Sequence, residues 1–137
     1  MTSLPHHVSN LILSQRLKEL GVPQKSLFWW IRSGEYFCQS EKRKAGEAYI
    51  VSDPPPYDFP FEAVASAFLS SELGERLPYE IENGSRHLHI YKASGYWVCG
   101  YYKPQAYKPK DRQTAPTLPD AMAKMLIFLL ENGLIKN

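Results

Sequence analysis

Two histidines and a cysteine are the side chains of this chain best suited to chemistry. His87 and His89 stand two apart in RHLHIYK (86–92), a spacing that puts both imidazoles on one face of a strand. Such a pair could ligate a divalent cation, given a third or fourth donor and groups to orient them. Cys99, in YWVCGYY (96–102), could act as a nucleophile if an imidazole lay beside it in space. Each feature also has a plainer account. Alternating polar residues on the solvent face of a sheet explain the histidines, and a small apolar filler between Val98 and Gly100 explains the thiol. The plainer accounts are preferred, because Cys38 and Cys99 lack metal-type spacing and His6 and His7 fall in an expected frayed tail. Asp53, Asp58 and Glu62 surround a proline run without forming an acid/base pair, and no phosphate-binding glycine loop, nucleophile elbow or zinc motif is present. No catalytic, cofactor-binding or metal-binding residue is assigned. A thiol enzyme built on Cys99 with His87 or His89 stays as an alternative.

Nucleic-acid binding has two candidate sources. LGVPQKSLFWWIRSGE (20–35) looks like the turn and recognition helix of excisionase-type DNA binders, which would make residues 11–34 a helix-turn-helix. A recognition helix needs Arg, Asn or Gln toward the bases, whereas here its face would carry Phe28 or Trp29. Five apolar residues in succession, Leu27 to Ile31, suit a strand better. In YYKPQAYKPKDR (101–112), Lys103, Lys108, Lys110 and Arg112 alternate with tyrosines that could stack on single-stranded bases. A formal charge of +2 over 137 residues is small for that task, so nucleic acid is not the favoured partner.

The elements that must position these residues are clearest at the C-terminus. TLPDAMAKMLIFLLENGLI (117–135) has an N-cap threonine, Asp120 in the first turn and Gly133 to close the helix. Its apolar arc spans roughly 260°, far beyond the stripe of an ordinary surface helix. Ile127 falls inside the polar strip of Asp120, Lys124 and Glu131. At the other end Asn10 caps LILSQRLKEL, which Gly21 and Pro23 stop. Residues 26–32 and 48–52 read as strands joined by a long polar connection. DPPPYDFP (53–60) reads as a stiff surface connection, and residues 61–69 are ambiguous between helix and strand. Ser70 is placed as the cap of a short helix ended by Pro78. Strands at 79–82, 86–92 and 96–102 follow, the first two joined at Asn83-Gly84, and residues 103–116 read as irregular. The order argues an α+β fold: an antiparallel sheet of about four to five strands packed against a C-terminal and an N-terminal helix. Residues 1–137 form one domain, with 1–8 expected to be disordered. No apolar run reaches membrane-spanning length and no signal peptide is seen, so a cytoplasmic protein is expected.

RLKELGVPQKSLFWW (16–30), AFLSSELGERLP (67–78) and DAMAKMLIFLLENGLI (120–135), in that order, resemble a group of small uncharacterised bacterial proteins, often prophage-associated. The resemblance implies a cytoplasmic protein of unknown function, carried by a mobile element, and no catalytic residues come with it. The excess of apolar surface points to a non-catalytic interaction protein that self-associates or holds a protein partner. Ile127, Phe128 and Trp29 are the expected partner surface.

Overall fold

The computed structural model describes residues 6–33, 48–52, 61–103 and 112–135. In chain order the elements are α1 (Leu11–Glu19), β1 (Phe28–Ser33), β2 (Ala48–Ser52), β3 (Phe61–Ala67) and α2 (Ser70–Arg76). Then come β4 (Glu80–Ile81), β5 (Arg86–Ala93), β6 (Tyr96–Tyr102), β7 (Arg112–Ala115) and α3 (Leu118–Glu131). The fold is α+β with antiparallel strands. These divide into two sheets, β2-β1-β3 and β4-β5-β6-β7, where the sequence suggested one.

Helix ends follow from local chemistry. The Asn10 side chain accepts a hydrogen bond from the Leu13 N–H at 2.9 Å, which starts α1. Gly21, at φ +87°, ends it in a Schellman motif: the Gly21 N–H donates to the Lys18 carbonyl and the Val22 N–H to that of Leu17, both at 3.0 Å. The motif brings Leu17 and Val22 together, and both are buried in the core. Helix α3 is built in the same way. Thr117 Oγ1 accepts from the Asp120 N–H at 3.4 Å, and Gly133 (φ +66°) lets the Leu134 N–H reach the Leu129 carbonyl at 2.9 Å. For α2 the predicted cap is one residue late. Leu69 stands at the N-cap, and its N–H is satisfied by Glu72 Oε1 at 2.8 Å rather than by Ser70.

The aromatic run does form a strand. β1 pairs with β2 on one side (Trp30 with Ile50) and with β3 on the other, with a bulge between Trp30 and Ile31. Residues 28–33 are therefore not a recognition helix, and the helix-turn-helix expected as an alternative over 11–34 has no second helix. Residues 61–67 are the strand β3, which settles that ambiguous stretch. Two other expectations are corrected. The tail does not fray as far as residue 8: Val8 is fully buried, bridges Leu69, and is followed by a Ser9 N–H donating to the Phe68 carbonyl at 2.8 Å. Within 103–116, residues 112–115 form the strand β7, paired with β6 from Trp97↔Ala115 to Gly100↔Arg112. Four residues are too few to show a period-two pattern. The polar loop 41–47 and the proline run 53–60 lie outside the described residues.

The core joins Leu17 and Val22 to Phe68, Leu73, Cys99 and Tyr101 and to the apolar arc of α3. That wide arc finds cover within the chain, because α3 packs against α1, α2, β6 and β7. Ile127 is only 8% exposed. No helix among the described residues is long and apolar enough to cross a membrane.

Candidate functional site

Strand register takes the thiol and the imidazoles apart. In the β5–β6 ladder Cys99 lies opposite Ile90, while His87 and His89 lie opposite Tyr102 and Gly100. Alternation then sends Cys99, with Tyr101 and Trp97, to the α3 side of the sheet, and both histidines to the other side. Cys99 is fully buried, and burial pushes its thiol up to about 12, so no thiolate is available near neutral pH. Burial also raises the Tyr101 hydroxyl, which donates to the Pro78 carbonyl. The thiol-enzyme alternative thus loses its pair. His87 Nε2 is engaged by the Gly84 carbonyl at 3.1 Å and lies 3.6 Å from Glu80 Oε2. His89 meets the Tyr102 ring edge-on, with centroids 5.5 Å apart. Among the described residues no group of three or more His, Cys, Asp and Glu could hold a metal ion.

The predicted partner residues do not form one surface. Ile127 and Phe128 line a shallow cleft of about 270 Å³ with Leu13, Lys124 and Glu131. Ile127 is largely covered by its own chain, and Phe128 is half-buried beside it. Trp29 is half-buried on β1, in the other sheet, between Val51 and Ser66 in the register. Of the basic candidates, Arg112 is exposed on β7 and Lys103 is half-buried at the end of β6. Lys108 and Lys110 lie outside the described residues. A larger cleft, about 420 Å³, opens between His6, His7, Lys92, Trp97 and Thr117. Lys92 Nζ lies 5.8 Å from the Trp97 ring centroid there, within cation–π range.

The feature missed in the sequence is the edge of the four-stranded sheet. β5 has eight residues, but its outer neighbour β4 has two. The connection between them turns tightly: Glu82, Asn83 and Gly84 take φ +53°, +58° and +83°, and the Ser85 N–H donates to the Glu82 carbonyl at 3.2 Å. Past Tyr79 the pairing ends, and the Pro78 carbonyl accepts instead from the Tyr101 hydroxyl. The last bond across this edge is the Leu88 N–H to the Tyr79 carbonyl at 2.8 Å. Because outward-facing amides alternate, Ile90 and Lys92 also direct their N–H and C=O away from β6. Among the described residues no strand pairs with them there. His89, Ile90, Tyr91 and Lys92 are all exposed, with Ile90 at 38% and Tyr91 at 44%.

The adjoining sheet face is aromatic. The Tyr102 ring lies across Gly100, where an added Cβ would stand 3.0 to 3.2 Å from ring and hydroxyl atoms. Any larger residue would oblige that ring to shift by a few tenths of an ångström. Tyr102 Oη lies 3.4 Å from Tyr91 Oη, which ties the exposed Tyr91 to the body of the sheet. The sequence signal was available in part: Pro78 stands two residues before β4 and limits how far that strand can extend toward the N-terminus. No family model, curated protein or solved structure matches the chain.

Proposed function

We propose that the chain is a non-catalytic interaction protein of the cytoplasm that receives an extended partner segment along the β5 edge. The observation that carries this reading is the exposed run His89 to Lys92, whose outward amides at Ile90 and Lys92 have no strand beside them among the described residues. A sheet edge in this state is a template for another strand. Main-chain hydrogen bonds supply affinity, and alternate side chains supply selectivity. Ile90 and Tyr91 offer apolar contact on the two faces, and the tether of Tyr91 to Tyr102 limits the ordering cost of engaging it. The cytoplasmic setting and a mobile-element origin come from the resemblance of the three sequence motifs.

Ile90→Pro tests the reading. It removes an N–H that faces outward and is not used by β6, and it sets a ring where a partner strand would lie. Extended peptides selected from a random display library on the native protein are expected to lose binding to this variant. Selected peptides that bind Ile90→Pro as well as the native chain would refute the edge as the contact surface.

A further inference from the structure

We infer that the segment received on the β5 edge is acidic: an extended chain, antiparallel to β5, that sets an aspartate or glutamate directly opposite Lys92. The inference rests on the β5 edge being the contact surface, and adds the chemistry and direction of the occupant.

The room on the edge fixes how such a segment lies. The row opposite Leu88 is filled by Tyr79, whose carbonyl takes the Leu88 N–H at 2.8 Å. An incoming chain must therefore end or turn away past the residue opposite Ile90. Pairing is confined to Ile90 and Lys92, each offering one outward N–H and one outward C=O. An antiparallel chain meets all of these with three residues, from the one opposite Lys92 to the one opposite Ile90. A parallel chain needs five, and the first of them would press against Tyr79. At the other end Ser94 and Gly95 are exposed in the β5–β6 turn, where the segment enters.

Charge decides the residue opposite Lys92. Directly opposed residues share a face, so this side chain stands on the α3 side of the sheet, beside Lys92 and the mouth of the 420 Å³ cleft. Among the described residues the cleft is lined by Lys92, His6, His7 and the Trp97 ring, and by no Asp or Glu. Asp120, next along α3 from the lining residue Pro119, is turned to Asn10, accepting from its N–H at 2.7 Å and its Nδ2 at 3.2 Å. The carboxylates of β4 and its connection to β5 lie at the closed end of the edge. Glu82 pairs with Arg86 at 2.9 Å, and Glu80 lies 3.6 Å from His87. Carboxylates thus gather where the edge is already paired, and the lysine stands where it is open. Lys92 Nζ is 5.8 Å from the Trp97 ring centroid, which keeps the ammonium near the sheet and lowers the cost of ordering it for a carboxylate. A basic residue in the same row would meet a like charge directly opposite, so the edge selects against it as well as for an acid.

Peptides from a random display library, selected on the native chain, are the probe. Sequencing is expected to show Asp or Glu enriched at one fixed position. In titrations of the synthetic peptides, Lys92→Gln should weaken binding about two- to five-fold, the range of an opposite-charge cross-strand pair. Lys92→Glu should weaken it further and prefer peptides whose acid is replaced by lysine. Strand addition is read separately by amide exchange on the protein: the Ile90 and Lys92 N–H groups should slow when peptide binds, a measurement that stands even if Ile90→Pro does not fold. A nitroxide on the peptide's C-terminus should broaden the signals of Tyr79 and Leu88 more than those of Ser94, and the reverse pattern overturns the antiparallel direction. Circular dichroism melts verify that each variant is folded. Peptides that protect both amides yet show no acidic preference, or bind Lys92→Glu unchanged, overturn the acidic segment and leave the edge reading standing. Peptides that leave both amides unprotected remove both readings, as does a library that yields no binder.

Discussion

Cys99 shows how one residue's place in a register determines its chemistry. Val98 and Gly100 on either side suggested a filler, and the fully buried thiol facing α3 is that. Its ionisation carries a stability consequence whose sign follows from burial. The thiol ordinarily ionises at 9.0, and in the fold at about 12. Below pH 9 it is neutral whether the chain is folded or not, and its contribution to stability is whole. Above that, the unfolded chain releases a proton that the folded chain retains, so stability falls as pH climbs from 9 toward 12. The loss is at most roughly 1.4 kcal/mol per pH unit for one proton. Urea midpoints measured across this window should fall more steeply for the native chain than for Cys99→Ala, which also removes the charge that helps raise the Tyr101 hydroxyl. Parallel curves would show that the thiol is not the titrating group. The neighbouring Gly100 was not legible in this way, because nothing in YWVCGYY says that the Tyr102 ring lies back across it.

Elements were legible wherever a local signal marks both ends. Asn10 with Gly21, and Thr117 with Gly133, bound α1 and α3 as their types require, and the aromatic run at 28–31 is a strand because its side chains suit a pleated surface. What escaped depends on distant partners: the Val8 bridge to Leu69, the short strand β7, and the division into two sheets. One such contact yields a prediction. Asp120 serves the first turn of α3, and its carboxylate also accepts from the Asn10 N–H at 2.7 Å and Asn10 Nδ2 at 3.2 Å, 110 positions away. The start of α1 is therefore held from α3. Asp120→Ala should lower stability by about 1–2 kcal/mol and quicken amide exchange in the first turn of α1, around Leu13 and Ser14. Exchange that quickens only at the start of α3 would reduce Asp120 to a local helix residue.

At the scale of the whole molecule the wide apolar arc of α3 had suggested an excess of apolar surface in need of cover, from this chain or a partner. The cover comes from α1, α2 and the four-stranded sheet, whose β5 edge has no strand beside it past Leu88 among the described residues. An open edge invites unlimited strand addition unless something limits the registers available. Lys92 is suited to that role, because it places a charge within the exposed run of β5. The far edge of the same sheet, β7, has only four residues. Replacing Lys92 by valine removes the charge and raises the strand propensity of the edge. Light scattering of Lys92→Val should then show larger species than the native chain forms at the same concentration, whereas Lys92→Arg, which keeps the charge, should preserve the native profile. If Lys92→Val keeps the native profile, the edge charge is not what limits strand addition.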